Sequence, residues 1–171
     1  MFALIENNAV KQVGEPAQLF PNTSGANAAY AVEQGAKEVV EGERKDERFY
    51  WVTFSHYEVQ ADSVVRVYTN TPKALEDVTE TPEGATEPVT TKGLKSQWIE
   101  QTRNVVYTSL LKTDWAVIRK MDRGIDIPAD IAAERAAVLA ECDAKEAAIA
   151  ACTTVEELMA VVAPVNTADP V

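Results

Sequence analysis

LLKTDWAVIRKMDRGIDIPADIAAER, residues 110–135, decides the architecture of this chain. It contains in order a helix end, a capped short helix, a glycine stop, a proline restart and a second helix. Thr113 and Asp114 offer side-chain oxygens that can cap a helix starting at Trp115, whose buried face would carry Trp115 and Ile118, three residues apart. Gly124 stands where the chain can leave that helix with positive φ. Pro128 stands where a missing N–H costs a new helix nothing. The spacing predicts a helical hairpin turning about a tryptophan elbow, a scaffold that carries no reactive group by itself.

Helical periodicity extends on both sides. Across 94–111, Leu94, Trp98, Ile99, Val105, Val106 and Leu110 fall within about 160° of one another on a helical wheel, which predicts one buried stripe. After Pro128, Ile131, Val138, Cys142 and Ile149 fall within about 40°, a narrow stripe flanked by alanines that suits close packing on another helix. Thr154 and Glu157 form a capping box for a last helix over 155–162, and the tail 163–171, APVNTADPV, is expected to fray. Cys142 and Cys152 lie ten apart on one helix, too far for a bridge, and read as buried thiols.

Upstream, residues 79–91 read TETPEGATEPVTT, with almost nothing to bury. Residues 74–91 hold five acidic groups and no basic one, and are expected to form an extended acidic linker. Before it the pattern is β. Residues 1–13 alternate around Asn7-Asn8, a pair that tolerates the left-handed turn of a two-residue hairpin. Pro16 and Pro21 rule out a regular helix through 14–24, and 27–40 is expected to be helical. Residues 49–59, FYWVTFSHYEV, carry the strongest strand signal. Phe49, Trp51, Thr53, Tyr57 and Val59 are expected on one face and Tyr50, Val52 and Phe54 on the other, which implies a place at the sheet centre. A turn at 61–63 returns the chain as a partner strand. The fold class is therefore α+β: a β-rich domain at 1–73, the linker 74–91 and a helical domain at 92–171.

The chain has 171 residues with 27 acidic against 16 basic, net −11, which argues against a sequence-independent hold on nucleic-acid phosphates. No apolar run approaches the roughly 18 residues of a membrane span, and the N-terminus lacks a signal-peptide pattern, so no membrane partner and a cytosolic birthplace are expected. His56, Glu58, Gln60 and Asp62 alternate, but read better as the polar end of a hairpin than as a metal site. Asp122, Asp126 and Asp130 surround Gly124 without the order of a calcium loop. With one histidine and no nucleophile elbow or phosphate loop, no catalytic residue, metal ligand or cofactor is expected.

Leu110, Leu111, Thr113, Asp114, Trp115, Ile118, Arg119, Gly124, Pro128 and Arg135 together resemble the C-terminal region of small tail-fibre assembly proteins of tailed bacteriophages. The N-terminal order of a hairpin, the FPNTS turn and an EQGA segment is similar to the front of many small phage tail proteins. The resemblance implies a non-enzymatic chaperone that helps fibre subunits fold and trimerise. Its partner would be a tail-fibre or other tail protein, and its place the host cytoplasm during assembly or the virion tail. A permanent structural component of the tail or fibre is the alternative, and a small adaptor unrelated to phages a third. The candidate partner-binding residues are Tyr50, Trp51, Phe54, Tyr57 and Trp115, because aromatic side chains dominate interface energetics.

Overall fold

The computed structural model describes residues 1–163. The expected fraying of 164–171 lies outside the described residues. The chain divides into two compact units, Met1–Pro72 and Lys73–Val171, the first built on a sheet and the second helical, an α+β organisation.

In the first unit β1 (Phe2–Glu6) and β2 (Ala9–Gly14) form a hairpin whose turn residues Asn7 and Asn8 have φ of 51° and 61°. That is the left-handed pair expected of asparagine. Pro16 opens a single helical turn, α1 (Pro16–Leu19). The Asn27 side chain accepts from Tyr30 N–H to start α2 (Ala28–Glu33). The helix expected to run to residue 40 ends here. Gly35 takes φ 81°, and the β-branched Val39 and Val40 continue in an extended strand, β3 (Lys37–Glu41). Phe2, Leu19, Ala31 and Ala36 make the core of this end, with Leu4 and Phe20 against it.

A ten-residue hairpin follows, β4 (Tyr50–Val59) and β5 (Ser63–Pro72), and the sheet order is β2-β1-β3-β5-β4. Only the β3–β5 pair is parallel. The strand with the strongest apolar signal is therefore an outer strand and not the sheet centre. Parallel pairing with β3 occupies the other side of β5, so aromatic content did not decide the order. The sheet curls enough that its two outer strands, β2 and β4, approach within 8 Å between Cα atoms.

In the second unit residues 74–91 are not a free tether. The Leu94 and Lys95 amides donate to the Ala74 and Leu75 carbonyls, and Gly93 N–H donates to the Asp77 carboxylate at 2.8 Å. The exposed β6 (Val78–Glu80) and β7 (Val89–Thr91) pair as a small antiparallel hairpin, with the Thr79 and Thr90 hydroxyls 2.8 Å apart. Backbone pairing of alternating Val and Thr, together with the glycine at 93, explains what composition alone hid. Any Cβ at 93 would lie 2.3 Å from Glu76 backbone atoms.

Among the described residues this unit continues with four helices: α3 (Leu94–Leu111), α4 (Asp114–Arg123), α5 (Ala129–Ala151) and α6 (Val155–Val162). Gly124 ends α4 at φ 67°, and the Thr154–Glu157 capping box opens α6, as their sequences imply. The α5 stripe turns inward at Ile131, Val138, Cys142 and Ile149, and both cysteines are buried free thiols. On α3 the stripe is narrower than expected. Leu94 is buried and Trp98, Ile99, Val106 and Leu110 are half-buried, but Val105 is exposed and Thr102 takes an inward position. The small Thr102 allows close approach, and its hydroxyl is satisfied by the Trp98 carbonyl at 2.9 Å.

Candidate functional site

The aromatic strand differs from its simple alternation because Ser55 is an extra residue, a β-bulge between the pairs Phe54↔Tyr68 and His56↔Val67. Residues directly opposite each other in an antiparallel pair share a face. The bulge therefore moves Tyr57 and Val59, opposite Arg66 and Val64, onto the face of Tyr50, Val52 and Phe54. The ring centroids of Phe54 and Tyr57 lie 4.9 Å apart, and those of Phe54 and Tyr68 lie 6.5 Å apart.

This face carries its own cover. The Arg66 guanidinium lies over both Phe54 and Tyr68, and Arg44 lies 5.0 Å above the Tyr68 ring. The Tyr68 hydroxyl donates to Glu41, which also accepts from Arg66 at 3.4 Å. That hydroxyl first, then the Arg66 charge, holds the Glu41 carboxyl below its ordinary range. Of the candidate residues, Tyr50 is corrected outright: at 3 % exposure it is core and unavailable to a partner in the folded unit. Phe54 keeps 46 % of its surface, Tyr57 is half-buried, and Trp51, 63 % exposed, stands on the opposite face.

The elbow in the second unit shows the reverse arrangement, with polar groups inside and apolar groups outside. Thr113 and Asp114 do not cap α4 with their side chains. They are instead held by Arg135 of α5, whose Nη1 donates to the Leu110 carbonyl at 2.9 Å, the Thr113 hydroxyl at 2.7 Å and the Asp114 carboxylate at 2.8 Å. This clasp fixes one face of α4, and the buried apolar residue there is the small Ala116. Trp115 and Ile118, expected to be buried, are 50 % and 57 % exposed. The Arg119 guanidinium lies over the Trp115 ring, 5.0 Å from its centroid. Tyr107, Leu111, Met121 and Ile125 are exposed as well. Six large apolar side chains thus recur every three or four residues from Tyr107 to Ile125 on the outside of the fold. The sequence signal for this was the polar pair Thr113 and Asp114 at the start of α4, which Arg135 draws inward.

Arg135→Met should cost about 1–2 kcal/mol, the scale of charged hydrogen bonds lost at a part-exposed position, and should speed amide exchange around residues 110–116. Unchanged exchange there would remove the clasp from the account.

The remaining clusters are structural. Ser55 Oγ lies 3.0 Å from His56 Nδ1 on an exposed strand. Asp126 pairs with Lys120 at 3.3 Å. Among the described residues no group of three or more His, Cys, Asp or Glu is placed to hold a metal ion. A polar hollow of about 560 Å³ beside Asp77 is lined by Lys92 and Arg103, already paired with Glu100 and Glu146. An open groove of about 730 Å³ between α3, α5 and the end of α6 is lined mainly by Trp98, Val105, Val106, Val138, Cys142 and Val162. Burial first, and then the Glu146 carboxylate, raise the pKa of the Cys142 thiol, which keeps it protonated and unreactive. Among the described residues no helix is long and apolar enough to cross a membrane. Compared with family models, with curated proteins and with solved structures, the chain gives no match.

Proposed function

We propose that this chain is a non-enzymatic assembly protein that binds a tail-fibre subunit in the host cytoplasm while the subunit folds and trimerises. The observation that supports the reading is the uncovered apolar run Tyr107–Leu111–Trp115–Ile118–Met121–Ile125. Large contiguous apolar surfaces are rare on monomers and mark sites of association. A protein that shields apolar surface on an unassembled subunit needs such a surface and needs no cofactor. The resemblance of residues 110–135 to tail-fibre assembly proteins supplies the kind of partner.

Co-expression with the neighbouring fibre gene tests this. The yield of soluble trimeric fibre should rise several-fold with the native chain, and fall back with Ile118→Ser/Met121→Ser, whose own thermal melting should be unchanged because both positions are exposed. Equal fibre yields with and without the chain would overturn the reading. Stoichiometric copies in purified virions would make it a permanent tail component instead.

A further inference from the structure

Among the described residues no strand pairs with the outer edge of β4. β2 comes within 8 Å of it between Cα atoms but forms no ladder with it. The direction of the edge's backbone groups follows from β5. The Arg66 carbonyl accepts from Gly42 N–H at 3.0 Å, on the side of β5 away from β4, so Tyr57↔Arg66 is a pair without mutual hydrogen bonds and the Tyr57 N–H and C=O point to the open edge. Alternation along β5 places Val64, Tyr68 and Asn70 in the same class, and with them their partners Val59, Phe54 and Val52. The bond from Gln60 N–H to the Ser63 carbonyl, at 2.9 Å, is in phase with this. The open edge therefore offers donors and acceptors at Val52, Phe54, Tyr57 and Val59, with a three-residue interval in the middle where Ser55 is the extra residue. We propose that two copies of this chain associate through this edge, antiparallel about the bulge, with Val52 opposite Val59 of the second copy and Phe54 opposite its Tyr57.

The bulge selects that occupant. A regular strand turns its backbone groups to one side at every second residue, so it can follow either half of this edge but falls out of phase across Ser55. An identical strand related by a two-fold axis carries the same interruption at the same place, because the series 52, 54, 57, 59 has the same spacing in both directions. The register also keeps the faces together. Val52, Phe54, Tyr57 and Val59 share one face and Thr53 and Glu58 lie on the other, so each facing pair meets on one side of the joined sheet. Valine meets valine, the 46 % exposed Phe54 meets Tyr57, and Glu58 meets Thr53, so no like charges stand directly opposed. Residues 52–59 also contain no Lys, Arg or Pro, the residues that blunt open edges against pairing.

Sedimentation velocity and a cysteine pair test this on the chain alone, so the outcome is independent of any effect on fibre yield. The interface is one strand edge and is small, so the chain should pass from monomer to dimer at about micromolar concentrations. Phe54→Lys should weaken the dimer about tenfold or more without lowering the melting temperature, since the side chain is already part-exposed. The register is read by Thr53→Cys/Glu58→Cys. Within one chain these positions lie five residues apart on a strand, about 16 Å, but across the two-fold axis they are directly opposed, so mild oxidation should give a covalent dimer. Thr53→Cys alone should give none, because its two copies stand about as far apart, and Cys142 and Cys152 are buried. A chain that stays monomeric at about 100 µM, a dimer indifferent to Phe54→Lys, or equal cross-linking by the single and double cysteine variants would overturn the proposal. So would a dimer that Ile118→Ser abolishes, since the helical unit would then be the interface.

Discussion

Ile149→Ala should lower the stability of the helical unit by about 2–5 kcal/mol, whereas Trp115→Ala should lower it by less than about 1 kcal/mol. The larger residue gives the smaller effect. Ile149 is fully buried on the inner face of α5, so truncation both removes apolar burial and leaves a cavity in a unit whose other fully enclosed large side chains are Leu94 and Leu158. Trp115 is half in water, its backbone neighbour Ala116 fills the buried position, and Arg119 lies over the outer part of the ring. Urea unfolding followed at 222 nm reports mainly the four helices and gives both values. Equal losses for the two variants would place the indole in the core and remove it from the docking face.

Gly93→Ala should be the most damaging small substitution outside the core, costing about 1–3 kcal/mol, the range for forced overpacking. The φ of −73° at Gly93 suits any residue, so the effect is steric and not conformational. The added methyl would meet the Glu76 carbonyl carbon and oxygen at 2.3 Å and the Leu75 oxygen at 2.5 Å, all of them backbone atoms that cannot rotate away. Segment 74–77 must lift, and with it go the bonds from Gly93, Leu94 and Lys95. Proteolysis within residues 74–91 should accelerate in the variant. Gly84→Ala is the control: it strains a φ of 85° but meets nothing within 4 Å, and should leave 74–77 protected. Acid should act on the same fastening. Asp77 is held below its ordinary value of 3.8, chiefly by the Ser96 hydroxyl and then by Gly93 N–H. A carboxyl with a depressed folded pKa stabilises fully above the unfolded value and loses that contribution as pH falls through the lower folded value. Loosening below pH 3.8 that Asp77→Asn already shows at neutral pH would match, and identical acid sensitivity in the variant would assign the loss to other groups.

These outcomes separate local from long-range information. The left-handed asparagine pair, the glycine end of α4, the proline before α5, the capping box of α6 and the α5 stripe were all legible in the sequence. Each depends on a few adjacent residues whose backbone freedom or spacing admits one solution. The α+β division was legible for the same reason, since a period near two gives way to one near 3.6 along the chain. Composition misled at 74–91, where acidic, threonine-rich sequence is fastened by main-chain bonds that any residues can make and that only a glycine at 93 permits.

Of the candidate site, the sequence named Trp51, Phe54, Tyr57 and Trp115 among the residues that stay at least part-exposed, but it could not say why. Tyr50 and Trp51 are adjacent and chemically alike, and only sheet curvature and pairing put one in the core and the other in water. The bulge at Ser55 re-phases every later residue of its strand, and that choice is made by the partner strand. At the elbow, Trp115 and Ile118 have the spacing of a buried face, yet Arg135, more than twenty residues away, claims Thr113 and Asp114 and turns the opposite side inward. Helical spacing fixes which residues share a face; which face meets the rest of the protein is settled by a distant side chain, and a sequence read locally does not contain that term.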